Sequence, residues 1–272
     1  MNFSLDFSTM SKTEKVLFPL PSSNRYQQIT NLILPASAEQ LTQKNGQRLA
    51  IFWPAQAELS FKYHGRAIET DWSQIYFKKY GQSAYFNEDY LINRQDLEMK
   101  AVAEEWLGEE TDLKKVVRLL YENTLAYLHY GRPIRDLYPY TQALTEQETD
   151  CGGFATFLAT LLQSQGLPAR LVLGYVLKNN LGQKIKKMSL QNLGLNDLSM
   201  HAWLEVQLAD ETWLPLDPAT DWRHRRAESQ RQASLALIPA DRLVLSYGHN
   251  QTLNYQGKKY HWPIWQHPEI IK

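Results

Sequence analysis

Cysteine is all but missing from this chain: one residue, Cys151, in 272. No intrachain disulfide can form, which excludes the small stapled scaffolds of secreted domains. Long apolar runs are missing too. A stretch such as LVLGYVL (residues 171–177) falls far short of the ~20 residues a membrane-spanning helix needs. Neither sign of charge is in excess, with 29 Lys and Arg against 29 Asp and Glu, so nothing in that balance argues for nucleic acid, an anionic membrane or a polyacidic partner. The opening MNFSLDFSTMSKTEKVLFPL has no basic start followed by an apolar stretch and does not read as a signal peptide. The expected location is the cytoplasm. Spacings such as C-x-x-C or H-x-x-x-H are absent, so neither a zinc site nor another cofactor is expected. No internal repeat or low-complexity segment appears.

The composition is that of a globular protein, 43% hydrophobic and rich in Trp, Tyr and Phe for core packing and cleft walls. The first 92 residues read mostly as strands. Residues 25–34 end at Pro35, residues 48–53 follow the turn Asn45-Gly46, and residues 57–72 form two strands joined near His64-Gly65. From Asn93 the spacing becomes helical. Leu97, Val102 and Trp106 fit one helix. Thr111 caps a second, with Val116, Leu119, Leu120, Asn123 and Tyr127 on one face. The expected domains are therefore 1–92, β-rich, and 93–272.

A loop at 132–150 leads into TDCGGFATFLATLL (149–162), where Cys151 opens a helix with Ala155, Leu158, Ala159 and Leu162 along its apolar stripe. The strand ARLVLGYVL follows Gly166 and Pro168. Next come a polar loop at 178–199, the strand MHAWLEVQL (200–208), the turn Asp210-Glu211 and the returning strand TWLPLD. Alternation puts His201, Trp203 and Glu205 on one face of their strand, and Trp213 and Asp217 on one face of theirs. Pairing as a hairpin brings His201 and Asp217 to the same face, where the carboxylate can hold the imidazole through Nδ1 and leave Nε2 free. Cys151 at a helix N-terminus meets the positive end of the helix dipole, which favours thiolate. Gly152 and Gly153 leave space beside the sulfur. These features predict attack by Cys151 on an amide or acyl carbon, with His201 as acid and base.

The same blocks resemble the transglutaminase-like superfamily of papain-like thiol enzymes. A Cys at the head of a helix is followed by G-L-P-A-R and a strand ending G-Y, then H-A-W-x-E-V, then W-x-x-x-D-P, in order, across residues 115–221. The resemblance implies an α+β fold, with the Cys helix packed on an antiparallel sheet and a β-rich domain in front. It implies Cys151 as nucleophile, His201 as base and Asp217 as its orienting partner. The chain departs from the pattern at Cys151-Gly152-Gly153, where C-x-E or C-x-D is common, and it has no calcium loop. The Cys151 amide is expected to donate to the oxyanion, with a second donor from Tyr138, Tyr140, Gln142 or Gln147. Gly152, Tyr140, Gln142 and Trp203 are the candidate substrate contacts. The substrate is expected to be a peptide or protein, cleaved rather than cross-linked. The competing reading is a binding or scaffold protein that keeps this fold without turnover. The basic cluster Trp222-Arg223-His224-Arg225-Arg226 reads as a solvated loop, with an acidic substrate group as the other option.

Overall fold

The computed structural model describes residues 2–7, 10, 13–54, 57–134, 136–177, 188–189 and 198–271. Alternating apolar residues between turn signals give seven early strands: β1 (Asn2–Asp6), β2 (Lys15–Pro19), β3 (Gln27–Ile33), β4 (Glu39–Thr42), β5 (Arg48–Phe52), β6 (Glu58–Gly65) and β7 (Ile68–Glu69). Helices α1 (Leu97–Leu107) and α2 (Leu113–Tyr127) follow, then β8 (His129–Tyr130), α3 (Tyr140–Glu146), β9 (Glu148–Thr149) and α4 (Cys151–Ser164). The remainder is β10 (Ala169–Leu177), β11 (Met188–Ser189), β12 (Leu198–Gln207), β13 (Trp213–Leu216), α5 (Pro218–Arg225), β14 (Leu237–Ile238), β15 (Arg242–Tyr247), β16 (Gln251–Tyr255), β17 (Lys258–Trp262) and β18 (Glu269–Ile271). The fold is α+β with a β-rich N-terminal region, as the sequence implies. Among the described residues, no helix is long and apolar enough to cross a membrane. The polar loop at 178–199 lies outside the described residues except at 188–189 and 198–199.

Contacts divide the chain into two units. One is Met1–Ala67, Leu173–His201 and Ala240–Lys272; the other is Ile68–Val172 and Ala202–Pro239. Neither is a single run of chain. Strands β10 and β12 give residues to both, so His201 counts with the first unit, and Cys151 and Asp217 with the second.

The first unit holds two four-stranded sheets, ordered β11-β1-β6-β3 and β18-β2-β5-β4. Their period-2 alternation buries Leu59, Phe61 and Tyr63 of β6 in a cluster with Phe3, Phe7, Phe18 and Phe52. Phe7 meets Phe18 and Phe52 edge-on, with centroids 5.5 and 4.8 Å away. Of the C-terminal strands only β15 joins the sheet of β10 and β12, lying beside β10. Its backbone comes so near that a Cβ on Gly174 would stand 1.9 Å from the Leu243 carbonyl oxygen. Strands β16 and β17 pair with each other, and β18 returns to β2.

In the second unit α4 is the central helix. Every residue from Gly152 to Gln163 is buried, not only the stripe the sequence marks, because α1, α2, α3 and α5 all pack on it. Its polar residues are satisfied locally: Thr156 donates to the Tyr138 carbonyl at 2.8 Å and Thr160 to that of Thr156 at 2.8 Å. Trp106, Tyr127 and Phe157 stack between α1, α2 and α4. Two readings shift by a residue or two. The buried face of α1 is Met99, Ala103 and Leu107, while Leu97 is 80% exposed, and Asp112 rather than Thr111 caps α2. The stretch 132–150, expected as loop, contains α3 and β9. The basic cluster at 222–226 is no solvated loop: it runs through α5 and buries Trp222.

Candidate active site

Cys151 is the first residue of α4, half-buried and reduced. The residue before it sets the helix start. The Asp150 carboxylate accepts from the Gly152 amide at 2.8 Å, the Gly153 amide at 3.3 Å and the Ile134 amide at 3.0 Å. An Asp ahead of a helix is an N-cap signal, legible in TDCGG. Strand β9 leads into that cap. It lies parallel to β8, with Tyr130 opposite Thr149, and the Gly131 amide donates to the Thr149 carbonyl at 2.7 Å. The two glycines serve the chain itself. A Cβ on Gly153 would stand 1.8 Å from Thr149 Oγ1, and one on Gly152 would stand 2.8 Å from Leu137 Cδ2. The Cβ side of each glycine is thus filled by these neighbours.

The hairpin of β12 and β13 forms as expected, with Leu204 opposite Leu216 and Gln207 opposite Trp213. Asp217 follows Leu216 directly and caps α5, accepting from the Thr220 amide and hydroxyl, each at 3.0 Å. Glu205 is fully buried and meets Arg170 of β10 at 2.7 and 2.8 Å. The Arg170 guanidinium lies 4.0 Å over the Trp213 ring, which meets Tyr85 edge-on at 4.6 Å. This arrangement fixes the half of β12 that begins at Ala202. The backbone amides of Ala202 and Gly152 act on the Cys151 thiol to lower its pKa. His201, the residue before Ala202, is 8% exposed, and its carbonyl accepts from Gln266 at 3.0 Å.

The charge state of the thiol differs from the expectation. Burial pushes the Cys151 thiol up to about 12, and the Asp150 and Asp217 carboxylates add to the rise, against the two amides. The helix N-terminus was expected to favour thiolate, but it carries its own carboxylate cap, Asp150. A neutral thiol is therefore the resting form at neutral pH. In the unfolded chain it ionises near its ordinary value of 9.0. Its contribution to stability is thus complete below pH 9 and is lost as pH climbs towards 12. Urea titrations at pH 7 to 11 should accordingly show a smaller alkaline loss of stability in Cys151→Ala than in the wild type. Equal losses would contradict a raised thiol pKa.

The other candidate contacts are engaged elsewhere. Tyr138 donates to the Arg132 carbonyl at 2.7 Å, Tyr140 to Asp96 at 2.9 Å and Gln142 to Glu146 at 2.9 Å. Gln147 ends α3 with φ 58°. Trp203 is wholly buried. Among the described residues, no group of three or more His, Cys, Asp or Glu is arranged to hold a metal ion.

Residues 100–218 match the family model of the transglutaminase-like superfamily. No curated protein matches the chain. Among solved structures, a proposed cysteine protease from Cytophaga hutchinsonii has 12% identity and a TM-score of 0.57, over 91% of this chain and 79% of that one. The periplasmic domain of TgpA from Pseudomonas aeruginosa, bound to ethylmercury, has 16% identity and a TM-score of 0.41, over 83% of this chain and 98% of that one. The first of these shows the shared fold.

Proposed function

We propose that this chain, with its transglutaminase-like core at residues 100–218, is a thiol hydrolase that cleaves amide or acyl bonds of a peptide or protein through a thioester on Cys151. The observation that carries the reading is the setting of the sulfur: it heads a buried helix, half-accessible itself, beside the Gly152 and Gly153 amides that the Asp150 carboxylate caps. In this reading His201 is the base and Asp217 orients it. The thiol is neutral at rest, so its proton leaves during attack rather than before it. Sγ bonds to the acyl carbon as His201 takes the thiol proton. The C–N bond then breaks, and His201 returns the proton to the departing amine. Water next gives His201 a proton and its oxygen to the thioester, the C–S bond breaks, and the thiol recovers that proton. The Cys151 amide, at the first position of α4, is the proposed donor to the oxyanion. A single free thiol suits a reducing compartment, and the cytoplasm is the proposed location.

Water as acceptor is part of the proposal, and partitioning tests it. With an activated ester as donor and methylamine as competing nucleophile, the expected product is the free acid in excess over the N-methyl amide. Predominant amide would make the chain an acyltransferase while leaving Cys151 as nucleophile.

A further inference from the structure

Helix α5 and the Arg226 cap that ends it carry three arginines, and they are treated differently. Arg225 meets Glu122 at 2.5 Å and Asp221 at 2.9 Å. Arg226 lies 4.0 Å over the Trp222 ring. Arg223 is half-buried, and among the described residues it has neither an ion pair nor a side-chain hydrogen bond; its Nε is buried with no partner. An Nε–H removed from water in this way is costly unless an acceptor meets it. What it does touch is the face of Tyr130, 4.9 Å from the ring centroid. Tyr130 stacks on Phe154, one turn into α4 from Cys151, with centroids 6.4 Å apart. Its hydroxyl likewise has no hydrogen-bond partner among the described residues. After burial, the Cys151 sulfur is the strongest influence raising the Tyr130 phenol above its ordinary range.

We propose that Arg223 and Tyr130 form a carboxylate-binding subsite beside Cys151, so that the acyl donor carries a carboxylate close to the bond that is cleaved. A planar carboxylate matches the guanidinium fork and accepts a third hydrogen bond from the phenol. The proposal rests on Cys151 being the nucleophile, and the test separates the two.

The single cysteine allows a direct experiment. Iodoacetate and iodoacetamide differ in the carboxylate, and both alkylate Cys151. The ratio of their rate constants at pH 9 is expected to fall about tenfold in Arg223→Gln, with the iodoacetamide rate nearly unchanged and an intermediate ratio in Arg223→Lys. An unchanged ratio in a folded Arg223→Gln overturns the subsite and leaves the nucleophile in place. Failure of Cys151 to react with either reagent at any pH overturns both. Should Arg223→Gln fail to fold, the wild type decides: acetate protects Cys151 from iodoacetamide and acetamide does not, whereas equal effects overturn the proposal. N-chloroacetylglycine and N-chloroacetylaspartic acid α-amide then separate the sources. The one whose rate depends on Arg223 identifies a main-chain or a side-chain carboxylate.

Discussion

Alanine in place of His201 is expected to slow acylation of Cys151 by an activated ester about a hundred- to ten-thousand-fold, the usual worth of a positioned base. The size follows from the thiol. Were it already a thiolate at neutral pH, loss of the base would hardly affect the first attack. Burial raises the thiol pKa to about 12, so attack at pH 7 calls for a group that takes the proton. The variant's rate should therefore rise with pH, as hydroxide replaces the imidazole, and show no plateau at the ordinary thiol value near 9.0. Asp217→Asn should cost less than His201→Ala, because the amide oxygen can still cap α5 at Thr220. Stopped-flow release of p-nitrophenol measures all three. Equal rates in wild type and His201→Ala at pH 7 would remove His201 from the mechanism.

Arg170→Met should cost about 3–5 kcal/mol of stability, because it strands the fully buried Glu205 carboxylate without its guanidinium. The size comes from desolvation and not from the strength of the pair. For that reason Arg170→Met combined with Glu205→Leu should recover much of the loss, an outcome that simple loss of an attractive contact would not give. The effect also reaches the site, since Glu205 lies on the strand segment that starts at Ala202, whose backbone amide acts on the Cys151 thiol. Urea denaturation of the single and double variants checks it. A loss below about 1 kcal/mol in Arg170→Met would mean that water or another cation already serves Glu205.

Local signals account for what was readable in the sequence. Helix α4 is bracketed by residues that act at short range, with Gly166 and Pro168 at its end, and the hairpin of β12 and β13 follows from the turn at Asp210-Glu211. Cys151, His201 and Asp217 could be singled out for the same reason: each sits at a recognisable point of such an element. Contacts between distant segments left no such trace. Leu97 fits a helical stripe but faces solvent, because Met99 and Ala103 lie on the side that α4 covers. The cluster at 222–226 is charged enough to read as loop, yet Asp217 caps it, Pro218 suits a first helical turn, and Trp222 finds Phe154 to pack on. The pairing of β8 with β9 joins residues nineteen apart through two-residue strands, too short for any alternation to show. Tyr130 and Arg223 therefore became visible only in three dimensions. The state of the thiol was hidden likewise. The helix terminus is written in the sequence, while the burial that outweighs it is not.

The most direct test is the intact mass of the protein after brief reaction with p-nitrophenyl acetate at pH 7. The account predicts one added acetyl group, located at Cys151, removed by hydroxylamine and absent from Cys151→Ala. No adduct on Cys151, or an adduct that forms equally in Cys151→Ala, would contradict the thioester at the centre of the mechanism.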